Sequence, residues 1–230
     1  MRSMLVLSLL LAACAEKAAA PAQSGPRFRV VDVSALNACS EGEAKSAAAQ
    51  SDVILKYAAA ARQARSGDDA ASMDAVRTME QLARENAWFA QTHYGLGVAY
   101  GLREAWLPAY AAYKRYLHFQ VHAADRERVR SELARMEAKA PALRQYADAE
   151  RAAQQSAWAD AGKRAQLVVE DQPTFALGHR LLAITHAANG RPADAVLAYE
   201  AYLQYDPLAV DRAEVEQIIA GTRAALGTVK

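Results

Sequence analysis

Neither a basic run nor an excess of charge marks this chain: its 27 lysines and arginines face 26 aspartates and glutamates, a formal charge of +1. Nucleic-acid binding needs a concentrated basic surface, so a general polyanion binder is excluded. Aromatic residues are only 7% of the chain, whereas apolar residues reach 53%, much of it alanine. That composition suits closely stacked helices better than a sheet. The sequence has no G-x-S-x-G, P-loop or dinucleotide fingerprint; Gly95, Gly97 and Gly101 have no strand before them and read as close-packing positions inside a helix. His118 and His122, four apart, have metal-ligand spacing, but no glutamate completes an HExxH pattern and no third ligand lies nearby. Zinc catalysis wants three protein ligands, so the pair reads as surface histidines. Nothing nominates a catalytic residue, a metal or a cofactor.

What is present is a repeated helix pair. In Ala176 to Ala209, the residues Leu177, Leu181, Leu182 and Ile184 keep an apolar stripe on one side of a helix, and Val196, Tyr199, Tyr202 and Leu203 do so on a second. Asn189-Gly190 supplies the positive φ of a helix C-terminus, and Pro192 fits the first turn of the next helix. Ala183 and Ala195 stand where the two backbones approach most closely. Counting from Ala176, the residues Leu182, Ala183, Ala195, Tyr199 and Pro207 fall on signature positions, and the unit resembles a tetratricopeptide repeat (TPR). His179 departs from the pattern at a position commonly large and apolar, and His186 at one commonly Tyr.

A shift of 86 residues lays this unit on Ala90 to Ala123, matching His93 to His179, Gly97 to Ala183, Tyr113 to Tyr199 and Tyr116 to Tyr202. The register continues through Asp125 and Leu133, which meet Asp211 and Ile219, so an extra helix is expected after each repeat. Weaker repeats precede each copy, Ala142 to Phe175 with Ala149 and Ala161 at the small positions, and about Val53 to Phe89 with Ala60 and Ala75. The earlier of these carries a three-residue insertion around Gly67-Asp68-Asp69. The expected fold is therefore an all-α, internally duplicated tandem helix-turn-helix TPR solenoid, with a capping helix closing each half. Residues 41–139 form the first half and 141–227 the second; a continuous superhelix and two lobes hinged near Pro141 both remain open.

Ahead of the repeats, residues 1–13 read as a leader: Met1-Arg2-Ser3 is a short basic start, and Met4 to Leu11 is apolar but too short to span a bilayer. Leu11-Ala12-Ala13-Cys14 resembles the bacterial lipobox, which implies that Cys14 becomes the lipidated first residue. Ala15 rather than Asp after it resembles the outer-membrane sorting pattern, so a lipid anchor on the periplasmic face of the outer membrane is expected. Residues 14–40 then form a flexible tether. Within it, Phe28 to Val33 is apolar enough for a short extended segment or for none. Cys39 is the second of the two cysteines; with Cys14 acylated it is either buried and inert or available to a partner. Ser40 with Glu43 makes a capping box that starts the first helix near Glu41.

The family resemblance also implies a binding face. First helices of TPR pairs line a concave groove, mainly through Gln91, Tyr94 and Val98 in one unit, Leu143, Tyr146 and Glu150 in the next, and Leu177, Arg180 and Ile184 in the last. Tyr94, Tyr146 and Arg180 are the expected anchors, because aromatic rings and arginine dominate interface energy. The expected function is a lipid-anchored scaffold for a protein or peptide partner in the bacterial envelope, in pilus, secretion or outer-membrane assembly. The alternative is a non-catalytic docking subunit of an envelope enzyme complex.

Overall fold

The computed structural model describes residues 41–86, 89–119 and 123–228. Cys14, Cys39, the leader, the tether, Ser40 of the capping box and His122 lie outside the described residues. Among those described there are ten helices and no strand. The chain divides into two units, Met1–Ala58 and Ala59–Lys230. Helix α1 (Glu41–Gln63) begins in the first and ends in the second. Its stretch in the first unit leaves Ile54 and Leu55 exposed and carries an Asp52–Lys56 pair one turn apart at 2.7 Å, a contact worth a few tenths of a kcal/mol to a helix.

The second unit continues with α2 (Asp69–Glu85), α3 (Gln91–Leu102), α4 (Trp106–His118), α5 (Ala123–Lys139), α6 (Pro141–Gln154), α7 (Trp158–Asp171), α8 (Ala176–Ala188), α9 (Pro192–Tyr205) and α10 (Arg212–Thr228). Three of these starts have a visible cause, of which the sequence reading names only Pro192. Asp68 caps α2 through its side chain, which accepts the Ala71 N–H at 2.7 Å, and Pro141 and Pro192 occupy the first turns of α6 and α9, where no N–H is missed. The turns inside three pairs share one device. A residue at positive φ, Glu104, Ser156 or Gly190, is followed by an N–H that reaches back five residues, from Ala105 to Tyr100, Ala157 to Ala152 and Arg191 to His186. Only the last of the three uses the glycine that this conformation favours.

Helices α3 with α4, α6 with α7 and α8 with α9 pack as antiparallel pairs, and α5 and α10 follow as the extra helices. The small residues singled out by the repeat register, Ala109, Ala149, Ala161, Ala183 and Ala195, are all buried. Gly97 shows why they are small: a Cβ there would stand 2.7 Å from the ring of buried Tyr113. Gly97→Ala is therefore expected to lower stability by about 1–3 kcal/mol, the usual cost of overpacking. Gly101→Ala, whose new methyl meets only the tip of Met136 at 3.6 Å, is the control. It should leave the urea midpoint unchanged or raise it.

The extra helix does not separate two cores. One hydrophobic cluster runs from Ala109 and Tyr110 of α4 through Val129, Leu133 and Met136 of α5 and Leu143 and Tyr146 of α6, and on to Val215 and Ile219 of α10. Pro141 therefore sits at a joint inside a shared core. Side chains also cross it: Tyr110 meets Tyr146 edge-on at 5.8 Å, and Lys114 donates to Glu150 at 2.6 Å.

Candidate functional site

The face expected to bind is built from the first helices α3, α6 and α8. Gln91 is exposed at the start of α3, and Val98 and Ile184 are half-buried against the core. Tyr94 is half-buried too, its ring 5.4 Å from that of Tyr116 and 5.7 Å from that of Tyr113, and the Arg128 guanidinium of α5 lies 5.0 Å from its centroid. Arg180, its counterpart 86 residues on, is held just as firmly. Its Nε donates to Asp211 at 2.8 Å, and its guanidinium lies 6.0 Å from the Tyr202 ring.

The structure places Tyr146 inside. It is only 5% exposed, with the rings of Tyr110 and Phe175 edge-on at 5.8 and 5.4 Å. Leu143 and Leu177 are buried with it. Sequence reading placed Tyr146 on an open groove by its repeat position, but α4 and the residue before α8 supply rings that close over it. Of the three residues of α6 expected on the face, Glu150 is the one left half-buried rather than buried; it is bound by Lys114 and lies 3.4 Å from the Tyr146 hydroxyl.

The second unit also holds three tyrosine–carboxylate contacts, one buried and two part-buried, that periodicity did not reveal. Tyr202 donates its hydroxyl to Asp211 at 2.6 Å, Tyr110 to Glu137 at 2.9 Å and Tyr100 to Glu80. Burial, before any other cause, raises the pKa of all three hydroxyls well above the tyrosine range. They are donors that fix carboxylates in place, and none can serve as a base near neutral pH. Burial alone would raise the Asp211 carboxyl, yet the hydrogen bonds from Tyr202 and Arg180 outweigh it and hold the group below its usual value. A tie across 91 residues is the ion pair between α4 and the residue that follows α9: Arg115 Nε and Nη2 donate to the two oxygens of Asp206 at 3.0 and 2.6 Å.

The two unusual histidines make a repeated contact. His93 stacks on Phe119 at 5.6 Å and His179 on Tyr205 at 5.4 Å, and both partners are also related by the 86-residue shift. His179 is further held 2.7 Å from the Pro173 carbonyl, whereas the buried Nδ1 of His93 has no hydrogen-bond partner. These rings pack helices together. His118 is exposed at the end of α4, and the described residues contain no group of three histidines, cysteines or carboxylates able to hold a metal.

The helix pairs, the shared register and the two added helices define an all-α protein of tandem helix-turn-helix repeats, internally duplicated. No family model matches the chain, and no curated protein does. Among solved structures it is similar to the MamA RS-1 ArsTM double mutant, with 14% identity over 76% of this chain and 96% of that one, at a TM-score of 0.29. It is also similar to PilW, described as a widely conserved type IV pilus biogenesis factor, with 15% identity over 77% of this chain and 93% of that one, at a TM-score of 0.30. Superpositions this loose say nothing of what this chain binds.

Proposed function

We propose that this protein is a scaffold that holds a peptide or protein segment along the face formed by α3, α6 and α8. The observation that carries this reading is the state of Tyr94 and Arg180. Each presents a ring or guanidinium that stays partly accessible while a neighbouring side chain, Arg128 or Asp211, holds it in one position. Groups ordered before binding lose little entropy when a partner arrives. The lipobox-like leader adds the second half of the reading, a lipid anchor at Cys14 on the periplasmic face of the outer membrane and work in envelope assembly.

The test is crosslinking in intact cells, capture through a C-terminal tag and identification of partners, for the unaltered chain and two variants. Arg180→Ala is a poor probe because it strips Asp211 of its cation, so Tyr94→Ala is combined with Arg180→Lys. Capture should fall roughly tenfold, as expected when interface anchors are lost, with helix content unchanged by circular dichroism. Undiminished capture would remove the binding face from these helices. Cys14→Ser should release the protein from membranes; a variant that stays membrane-bound would refute the anchor.

A further inference from the structure

The internal duplication allows two aromatic clusters to be compared residue by residue. Tyr113 and Tyr116 of α4 correspond to Tyr199 and Tyr202 of α9, Asp125 to Asp211, Tyr94 to Arg180 and Arg128 to Glu214. In each cluster a guanidinium lies by a tyrosine ring and pairs with the equivalent aspartate, but it comes from a different helix. In the second half it belongs to Arg180 of α8, whose Nε donates to Asp211 at 2.8 Å and whose guanidinium lies 6.0 Å from the centroid of the Tyr202 ring. In the first half Tyr94 stands at that position. The guanidinium there is that of Arg128 of α5, 5.0 Å from the Tyr94 centroid, with Nη2 donating to Asp125 at 2.7 Å.

The clusters differ in how firmly the cation is kept. The Asp211 side chain is 6% exposed and also accepts the Tyr202 hydroxyl at 2.6 Å, so Arg180 completes a closed network. The Asp125 side chain is 32% exposed, and Arg128, three residues further along the same helix, is more than half exposed. Such a pair contributes little and is readily exchanged for contacts to an incoming side chain. Asp125 and Arg128 also stand close enough to Tyr116 to act on its hydroxyl, after burial, the first cause of its raised pKa. One half therefore holds a cation permanently, and the other holds its own surface arginine over an accessible ring and carboxylate.

We propose that Tyr94 and Asp125 form a subsite for an arginine side chain of the bound partner, whose guanidinium takes the place now held by Arg128. This rests on the scaffold reading of the α3, α6 and α8 face and adds the chemistry which that face selects. A planar guanidinium lies over an aromatic ring while its N–H groups reach a carboxylate, the arrangement Arg128 already makes. Arg128 is a stand-in: it keeps the ring oriented and Asp125 neutralised until a partner arrives, and on exchange its side chain returns to water.

The probe is N-acetyl-arginine amide, titrated into the full chain with ring-labelled tyrosines and followed by NMR, the Tyr94 signals being identified by their absence in Tyr94→Phe. They should shift saturably, with a dissociation constant on the order of 10 mM, as befits one cation–π contact and one ion pair. The Tyr202 signals should stay in place, because Arg180 fills that cluster, and N-acetyl-glutamate amide should shift neither. Arg128→Ala removes the stand-in and should tighten binding roughly threefold, whereas Asp125→Asn should weaken it roughly threefold. Both variants should keep their helix content by circular dichroism, and partner capture from intact cells should rise in the first and fall in the second. Absence of a shift at about 100 mM amide, equal shifts at Tyr202 or with the glutamate amide, or weaker binding in Arg128→Ala overturns the inference; the scaffold reading survives that result if capture still depends on Tyr94. Amide binding together with capture indifferent to Tyr94→Ala overturns the scaffold reading instead, and with it the partner as the source of the arginine.

Discussion

Replacing Arg115 with methionine is expected to destabilise the fold by about 3–5 kcal/mol, the usual cost of removing one member of a buried ion pair. Asp206 is 0% exposed. Its two carboxylate oxygens take the Nε and Nη2 hydrogens of Arg115, and Oδ1 also accepts the Leu208 N–H at 3.0 Å. Methionine preserves most of the packing of the arginine stem but leaves a carboxylate in the interior with one backbone donor. The effect should spread beyond the local turn, since the pair joins α4 to the end of α9 across 91 residues. Adding Asp206→Asn should recover part of the loss, because the amide oxygen still accepts from Leu208 and the stranded charge is gone. Urea unfolding of the two single variants and the double variant gives the coupling between the residues. A loss below about 1 kcal/mol for Arg115→Met, the range of exposed pairs, would mean that the contact fixes geometry without supplying stability.

Acidification should destabilise the protein well above the range where carboxylates titrate. His93 is 2% exposed; burial, with Arg115 nearby as a second cause, lowers its pKa from 6.5 to about 4. Above pH 6.5 the ring is neutral in both folded and unfolded chains and its titration contributes nothing. Between pH 6.5 and 4 the unfolded chain takes up a proton that the folded chain refuses, so stability falls with pH, by roughly 3 kcal/mol in all. His186, also lowered by burial first, adds a smaller slope in the same direction. Asp211 acts in another window. Its folded pKa is depressed, so its contribution is present above the unfolded carboxylate value and is lost only as pH falls below about 4. His93→Leu should therefore flatten the slope between pH 6.5 and 4 and leave the steeper loss at lower pH in place. Parallel curves for the two proteins across pH 4 to 7 would show that His93 does not carry the acid sensitivity.

The helix pairs were legible because their signals are local. Leu181 and Leu182 against Val196 and Tyr199, the small residues at 183 and 195, and the Asn189-Gly190 turn before Pro192 all lie within one 34-residue unit, and the 86-residue shift carries them to the other half. The joint at Pro141 was undecidable from that pattern, since both a hinge and a shared core satisfy it; Tyr110 meeting Tyr146 decides for the core. Tyr146 was misplaced for a related reason. A repeat position states which side of its own helix a residue occupies, and Phe175 and Tyr110 come from elsewhere to cover it. Arg115 and Asp206 gave no sign at all. An arginine on an amphipathic helix reads as a solvated residue, and an aspartate before Pro207 reads as a turn.

The sequence by itself determined that this chain is helical, paired and duplicated, because apolar periodicity and small residues at helix contacts act over a few turns and repeat in register. Only the tertiary structure decided which polar groups are buried and which anchors stay accessible. Those outcomes depend on side chains brought together from 9 to 91 residues apart, and at that range packing and the weak screening of the interior choose the partners.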